Sequence, residues 1–217
     1  MAEATLVIGN KNYSSWSLRG WLMAKQSGVA FDEVLIPLDR DGFKDKILAY
    51  SSAGRVPILV HDGRTVWESL AIGEYLAEVA PEAGLWPAEQ GARAQARAIA
   101  SEMHAGFAAV RTHMPMDLRS QWPDRDDEPG VAEDVRRIIE IWSGCLAGPG
   151  HDGPYLFGGF GIVDAMFAPV VGRFLTYGVD MPETCRAYTK AVWDWPAMRE
   201  WLTAAEAESW VIEAPKI

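Results

Sequence analysis

The sequence has few cysteines, no long apolar run and no basic tract, and each lack argues against a class of protein. Its two cysteines, Cys145 and Cys185, lie too far apart for a metal or redox motif. No apolar stretch is long enough to span a bilayer, and no signal-peptide pattern opens the chain. Acidic residues outnumber basic ones by 30 to 20, so the net charge is −10, which argues against a nucleic-acid partner. We therefore expect a protein of the reducing cytoplasm that binds neither membranes nor nucleic acids.

The segment from Gly54 to Tyr75 carries the densest structural signals in the 217 residues. Pro57 precedes an apolar run at 58–60, which is typical of a strand, and a proline at a strand start cannot donate to the sheet. The Asp-Gly pair within 61–64 predicts a tight hairpin, with the returning strand at 65–67. Apolar residues at helical spacing follow directly and predict a helix.

Two features of this segment suit ligand binding. If the bond between Val56 and Pro57 were cis, Val56 would present its backbone N–H and C=O to an outside partner. Glu68 and Ser69 stand at the start of the next helix, where free backbone N–H groups favour an anion. These residues alone equally fit an ordinary N-cap serine beside a solvated glutamate.

Three serines follow the first predicted strand, at the point where the strand gives way to a helix. They are Ser14, Ser15 and Ser17. A serine before a helix is most often a cap, but three serines around one turn cannot all cap it. A remaining hydroxyl, aided by helix N–H groups, would be able to stabilise a thiolate by hydrogen bonding to its charged form.

Taken together, Val-Pro at a strand start, the hairpin, the Glu-Ser pair and the serine turn resemble the glutathione-binding half of the glutathione S-transferases. The resemblance implies a thioredoxin-like α/β domain with the order βαβαββα at residues 1–80. It implies a linker at 81–90, which includes the family's Leu-Trp-Pro, and an all-α domain at 91–217 that lines the electrophile site. It further implies glutathione as co-substrate, no metal, and a homodimer.

The resemblance assigns a set of residues to glutathione. In the family, the residue before a cis-Pro pairs through its backbone with the cysteinyl part, and the Glu-Ser pair holds the γ-glutamyl group. Basic residues near the second helix contact the glycine carboxylate. The residues so assigned are Ser17, Lys44, Arg55, Val56, Pro57, Glu68 and Ser69.

The serine turn is similar to the Ser-Ser-Cys-Ser-x-Arg motif of the zeta class. That likeness makes Ser14 the candidate thiolate-stabilising residue, with Ser15 and Ser17 in support. Trp16 stands in place of the zeta cysteine, so the thiol needed for deglutathionylation or mixed disulfides is missing. Tyr13 stays open as the alternative donor, because a tyrosine plays this role in other classes.

Beyond the linker the apolar periodicity is helical. Ile99, Met103, Phe107 and Val110 predict one helix that stops near Pro115. In the family the electrophile lies against this helix, although helix core is the simpler interpretation for Met103 and Phe107. The candidate substrate residues are Met103, His104, Phe107 and Arg111.

A capping motif of the family is only partly present. Gly161 stands where the family has Ser or Thr, so the box is incomplete. Asp164, three residues later, is still expected to cap its helix locally, which is a folding role.

The implied function is transfer of glutathione to a small hydrophobic electrophile. The zeta likeness leaves maleylacetoacetate isomerase open, but the position of that enzyme's substrate arginine, counted from Pro169, is Thr176 here, with Arg173 about one turn earlier. A non-catalytic binding or regulatory protein on the same scaffold is the third hypothesis. It predicts a decayed site, whereas the serine turn, the Val-Pro pair and the Glu-Ser pair are all present.

Overall fold

A computed structural model of the chain describes residues 4–123, 128–148 and 151–212. The predicted helical range, 91–217, therefore includes 124–127, 149–150 and 213–217, which lie outside the described residues. Within the described ranges, no helix is both long and apolar enough to cross a membrane.

The N-terminal part is the predicted thioredoxin-like α/β unit with a mixed four-stranded sheet. Its strands are β1 (Ala4–Ile8), β2 (Phe31–Leu35), β3 (Ile58–His61) and β4 (Arg64–Trp67), in the spatial order β2-β1-β3-β4. The β1–β2 pair is parallel, whereas β3 is antiparallel to both β1 and β4. The helices of this part are α1 (Ser15–Ser27), α2 (Phe43–Leu48) and α3 (Ser69–Val79), which completes the order βαβαββα.

The central strand β1 is apolar because both of its faces are covered. Leu6 and Ile8 point into the large core that also contains residues of α1 and α3. Val7 points to the other face and packs with Ile47 of α2 and with Ile58. Successive side chains of a strand alternate between faces, so a strand buried on both faces reads as a continuous apolar run.

From residue 90 onward the described elements are helices. They are α4 (Gln90–Ala105), α5 (Ala108–His113), α6 (Val131–Leu146), α7 (Ile162–Tyr177), α8 (Glu183–Asp194) and α9 (Pro196–Glu206). Helix α7 is buried along almost its whole length and contacts α1, α3, α4 and α8. It therefore packs the helical part against the α/β part.

The prediction of one helix through Ile99 and Val110 is wrong. Helix α4 ends at Ala105, and Phe107 adopts a left-handed backbone with φ 58° before α5 begins. Apolar spacing missed the break because Met103 before it, Phe107 at it and Val110 after it are all buried, so the apolar period continues through it. The side chain of Arg111 donates to backbone carbonyls freed there, including that of Gly106 at 2.8 Å.

Asp164 caps the start of α7, as the sequence predicted. Its Oδ2 accepts the N–H of Gly161 at 2.9 Å, and its Oδ1 accepts the N–H of Leu156 at 3.1 Å. Gly161 has no side chain to return the bond, so the whole cap rests on one carboxyl group. Burial raises the pKa of that carboxyl to about 6, although the two backbone donors oppose the shift.

We expect Asp164→Ala to lower the free energy of unfolding by about 2–4 kcal/mol at neutral pH, because it leaves two buried backbone N–H groups without an acceptor. Urea denaturation would measure this. Asp152→Ala, at an exposed acid in the preceding loop, serves as the control and should change stability by less than about 0.5 kcal/mol. Equal effects of the two changes would contradict the capping role.

The cost of Asp164→Ala should also depend on pH. The pKa of the carboxyl is about 6 in the folded chain, against about 3.9 for an unfolded aspartate. The folded state therefore holds the proton more tightly, and the stability this group contributes is full below about pH 4 and declines as the pH rises through 6. Urea titrations across this range should show the difference between wild type and variant shrinking with rising pH, and a growing difference would contradict the assignment.

Candidate active site

A cavity of about 290 Å³ opens beside the sheet, where the serine turn, the start of β3 and the start of α3 meet. Six of the residues predicted from the sequence line it, namely Ser14, Arg55, Val56, Pro57, Glu68 and Ser69. Apolar walls are added by Trp16, Leu38, Phe43, Ile47 and Trp67. Three further predicted residues are not among its lining: Ser15, Ser17 and Lys44.

The backbone of Val56 is presented to this cavity. The bond between Val56 and Pro57 is cis, and β3 begins only at Ile58. No hydrogen bond among the described residues uses the N–H or C=O of Val56. The neighbouring Arg55 is exposed and has no ion-pair partner within the described residues. This edge therefore offers a backbone donor, a backbone acceptor and a cation to a ligand.

The start of α3 faces the same cavity without a side-chain cap. Glu68 has a positive φ of 68°, and Ser69 is the first helical residue and is fully buried. The hydroxyl of Ser69 donates only to the sulfur of Met166, at 3.9 Å. The first turn of α3 contains no acidic residue, so its free N–H groups and the helix dipole favour an anion from outside.

The hydroxyls of Ser14 and Ser17, two of the three serines in the turn, have different roles. Ser14 is the N-cap of α1: its Oγ accepts the N–H of Ser17 at 3.3 Å and donates to the Ser17 Oγ at 2.8 Å. The Ser17 Oγ accepts the N–H of Gly9 at 2.9 Å and is fully buried, so its role is internal. If the Ser14 hydroxyl rotated so that its proton pointed away from Ser17 and into the cavity, it would donate a hydrogen bond to a thiolate bound there.

Tyr13, the alternative donor, is held elsewhere. Its hydroxyl lies 3.2 Å from Nη2 of Arg119, which donates to it, and Tyr13 is not among the residues that line the cavity.

Trp16 stands beside two guanidinium groups. Its ring centroid lies 4.5 Å from Cζ of Arg19 and 4.8 Å from Cζ of Arg111, and the edge of His104 approaches it at 5.3 Å. Arg19 is fully buried; its Nε donates to the carbonyl of Met166, and its two Nη atoms have no hydrogen-bond partner among the described residues. Burial lowers the pKa of Arg19 well below its usual value, and the nearby Arg111 adds repulsion.

Two domain families match this chain. The N-terminal domain of glutathione S-transferases matches residues 13–79, and the C-terminal domain of the same family matches residues 90–204. The chain belongs to the glutathione S-transferase family.

Named relatives of this chain include maleylacetoacetate isomerases. It is 37% identical over 104 residues to the probable maleylacetoacetate isomerase of Caenorhabditis elegans, an alignment that covers 48% of each chain. It is 31% identical over 138 residues to the maleylacetoacetate isomerase of Pseudomonas aeruginosa, covering 62% of this chain and 61% of that enzyme. The chain thus spans about half to three fifths of the length of these curated relatives.

A solved structure extends the likeness to almost the whole chain. A sphingomonad glutathione S-transferase complexed with glutathione superposes with a TM-score of 0.68 at 26% identity. The superposition covers 94% of this chain and 100% of that one.

The four residues predicted to contact a second substrate do not form one group. His104 is half-buried with its Nε2 3.8 Å from Oε2 of Glu68, and burial lowers its pKa although Glu68 opposes the shift. Met103 and Phe107 lie in the hydrophobic core. Arg111 donates to the carbonyls of Met103 and His104 and so supports the α4–α5 break; it also lies against the ring of Trp16 but does not line the cavity.

The sequence did not identify Arg19 as one of the side chains that pack around Trp16. The residue was visible only as the last letter of the serine motif, and its helical position did not indicate that it is fully buried. The described residues contain no group of three or more His, Cys, Asp or Glu side chains placed to hold a metal ion.

We expect Trp16→Leu to lower the free energy of unfolding by about 1–2 kcal/mol, because two partly desolvated guanidinium groups lose their aromatic partner. Trp122→Leu is the matched control, since the Trp122 side chain is 48% exposed and should cost less than about 0.5 kcal/mol. Urea denaturation of the two variants would decide, and equal losses would contradict the interaction.

Proposed function

We propose that this protein is a glutathione transferase in which Ser14 stabilises the thiolate of glutathione for attack on a small apolar electrophile. The observation that carries the proposal is the convergence of three anion- and peptide-binding features on one cavity. They are the free backbone of Val56, the uncapped start of α3 at Ser69, and the hydroxyl of Ser14. Family membership supplies the ligand that such a cavity fits.

In this proposal each part of glutathione has a partner of matching chemistry. The N–H and C=O of Val56 pair with the cysteinyl backbone, as in strand addition. The hydroxyl of Ser69 and the α3 N-terminus hold the γ-glutamyl carboxylate, and Glu68 meets its ammonium group. Arg55, and Lys44 at the exposed face of α2, supply positive charge for the glycine carboxylate.

The chemistry needs a thiolate at neutral pH. A hydroxyl that donates to sulfur favours its charged form and so lowers the pKa of the thiol. Ser14 acts as this donor and is not itself a nucleophile. The sulfur forms a bond to the electrophilic carbon, the thiol proton goes to solvent, and a leaving group departs with its electron pair where the electrophile carries one. Trp16 and Trp67 offer apolar walls to such a substrate.

The isomerase is the second candidate, and the two guanidinium groups beside Trp16, of which that of Arg19 is buried and that of Arg111 partly exposed, favour it. Arg19 and Arg111 beside Trp16 would attract an electrophile that carries carboxylates. The residues considered for the zeta substrate arginine are otherwise engaged, however. Thr176 donates to the carbonyl of Asp117 at 2.9 Å, and Arg173 is buried and donates to the carbonyl of Met114 at 2.7 Å. We therefore rank general transfer above isomerisation.

The non-catalytic hypothesis differs in one observable. It predicts glutathione affinity without turnover of any electrophile, whereas the proposal predicts both. The homodimer implied by family membership stays a prediction.

Ser14→Ala should reduce kcat/KM for chlorodinitrobenzene roughly ten- to a thousandfold and raise the pKa of bound glutathione, because the thiolate loses its hydroxyl donor. Stopped-flow turnover against pH would measure both effects. Ser101→Ala, at an exposed serine of α4, is the control. If Tyr13→Phe abolishes turnover while Ser14→Ala does not, Tyr13 is the donor and the assignment is wrong.

Ser69→Ala should weaken glutathione binding about tenfold, since the γ-glutamyl carboxylate loses a hydrogen bond in a buried setting. Calorimetric titration of glutathione into wild type, Ser69→Ala and the Ser101→Ala control would measure this. Absence of binding to wild type would remove the proposed function altogether.

A direct comparison of substrates separates the two catalytic candidates. Turnover of maleylacetoacetate in preference to chlorodinitrobenzene would favour the isomerase. The reverse preference would favour the general transferase.

A further inference from the structure

The turn at residues 10–14 ends at Ser14 and contains backbone N–H groups that have no acceptor within the turn. The carbonyl of Asn10 accepts the N–H of Ser14 at 2.8 Å, so the turn is wound like the first turn of a helix. In such a turn the first N–H groups, here those of Lys11 and Asn12, have no partner within the turn itself. A buried turn of this kind needs an acceptor from elsewhere in the chain.

The acceptor is the carboxylate of Glu208, which follows α9 at the far end of the sequence. Its Oε1 accepts the N–H of Lys11 at 2.6 Å, and its Oε2 accepts the N–H of Asn12 at 3.1 Å. Glu208 is only 8% exposed, so these charge-assisted bonds are shielded from water. One carboxylate therefore satisfies both open donors of the turn.

Glu208 is itself held against the turn. Arg119 donates through Nη1 to the backbone carbonyl of Glu208, and through Nη2 to the hydroxyl of Tyr13 at 3.2 Å. The indole N–H of Trp201, in α9, donates to the carbonyl of Lys11 at 2.9 Å. These contacts fasten the C-terminal segment to the turn and engage the Tyr13 hydroxyl at the same time.

The hydrogen bonds between the turn and Glu208 influence the position of Ser14 through the backbone. The N–H of Ser14 is bonded to Asn10, and the carbonyl of Ser14 accepts the N–H of Leu18 at 3.0 Å, so the serine joins the turn rigidly to α1. Loss of the acceptor at Lys11 and Asn12 would let the turn reorient about this junction. The position of the Ser14 Oγ in the cavity would shift with it.

We propose that Glu208 is a positioning residue, which orients Ser14 toward the ligand sulfur by capping the turn at residues 10–14 from the C-terminal segment. The inference rests on the proposed function, since it takes Ser14 to be the thiolate donor. Glu208 does not line the cavity and touches no ligand in this account. Its action is indirect and geometric, and stabilisation of a charge by a hydrogen bond is sensitive to such geometry.

The test compares Glu208→Gln with Glu206→Gln. Both remove one negative charge close to the C-terminal end of α9, but Glu206 is exposed and makes no hydrogen bond or ion pair with the turn among the described residues. A glutamine at 208 keeps one acceptor oxygen and places an N–H₂ donor against the second backbone N–H. Three quantities are measured: the pKa of bound glutathione from the ultraviolet absorbance of its thiolate, the Kd for glutathione by calorimetry, and kcat/KM.

For folded Glu208→Gln we expect the pKa of bound glutathione to rise by about one unit and kcat/KM to fall roughly ten- to a hundredfold. The Kd should change less than about threefold, because Val56 and Ser69 remain in place. Glu206→Gln should match wild type in all three quantities. A merely structural role of Glu208 would lower the thermal midpoint and leave the pKa of bound glutathione unchanged.

An unchanged pKa of bound glutathione in folded Glu208→Gln overturns the inference and leaves the proposed function standing. If wild type binds no glutathione, or binds it without forming a thiolate, the proposed function fails and the inference falls with it. The two failures are therefore distinguished by the wild-type measurement.

A second variant covers the case in which Glu208→Gln does not fold. Arg119→Gln keeps the carboxylate but removes the cation that holds its backbone and the Tyr13 hydroxyl. It should raise the pKa of bound glutathione in the same direction by a smaller amount. No change in that pKa would overturn the inference.

Discussion

Backbone N–H groups at the starts of helices and turns need acceptors, and the way this chain supplies them organises the structure. Ser14 caps α1, Glu89 caps α4 through the N–H groups of its first turn, and Asp164 caps α7. Glu208, near the opposite end of the chain, accepts the N–H groups of the turn that precedes α1. A buried N–H without an acceptor is costly. Ser14, Glu89 and Asp164 meet this need locally, whereas Glu208 also ties the C-terminal segment to the start of the chain.

The start of α3 is the exception, and the exception coincides with the cavity. Ser69 and the open first turn of α3 have no carboxylate cap, and the backbone of Val56 nearby is unpaired among the described residues. Groups that the fold leaves unsatisfied in a cleft are the groups that a ligand satisfies. Folding and ligand binding thus both depend on satisfying backbone N–H groups. In folding the acceptor is a side chain of the protein, and at α3 it is a group of the ligand.

Positive charge is concentrated around Trp16 although the chain as a whole is acidic. The chain carries a net charge of −10, yet Arg19 and Arg173 are both buried here, and burial together with repulsion from Arg111 lowers the pKa of each. Trp16, which occupies the place of the zeta cysteine, lies against two of these guanidinium groups. Trp16 therefore places an aromatic surface beside positive charge.

The sequence by itself determined the α/β order, the hairpin at Asp62, the position of the serine turn and the capping role of Asp164. Each of these follows from local rules, namely apolar period, turn chemistry and cap preference, which act over a few residues. Six cavity-lining residues were also expected, from the resemblance of the serine turn, the Val-Pro pair and the Glu-Ser pair to the glutathione S-transferases.

Tertiary structure alone decided the rest. The break at Phe107 keeps the apolar period and is stabilised by Arg111, a contact that spacing does not reveal. The burial of Arg19 depends on its packing against α7. The bonds from Glu208 to Lys11 and Asn12 join residues almost 200 positions apart (|i−j| of 197 and 196). Such contacts are set by how the helical part folds back on the α/β part, and no local pattern in the sequence encodes that distance.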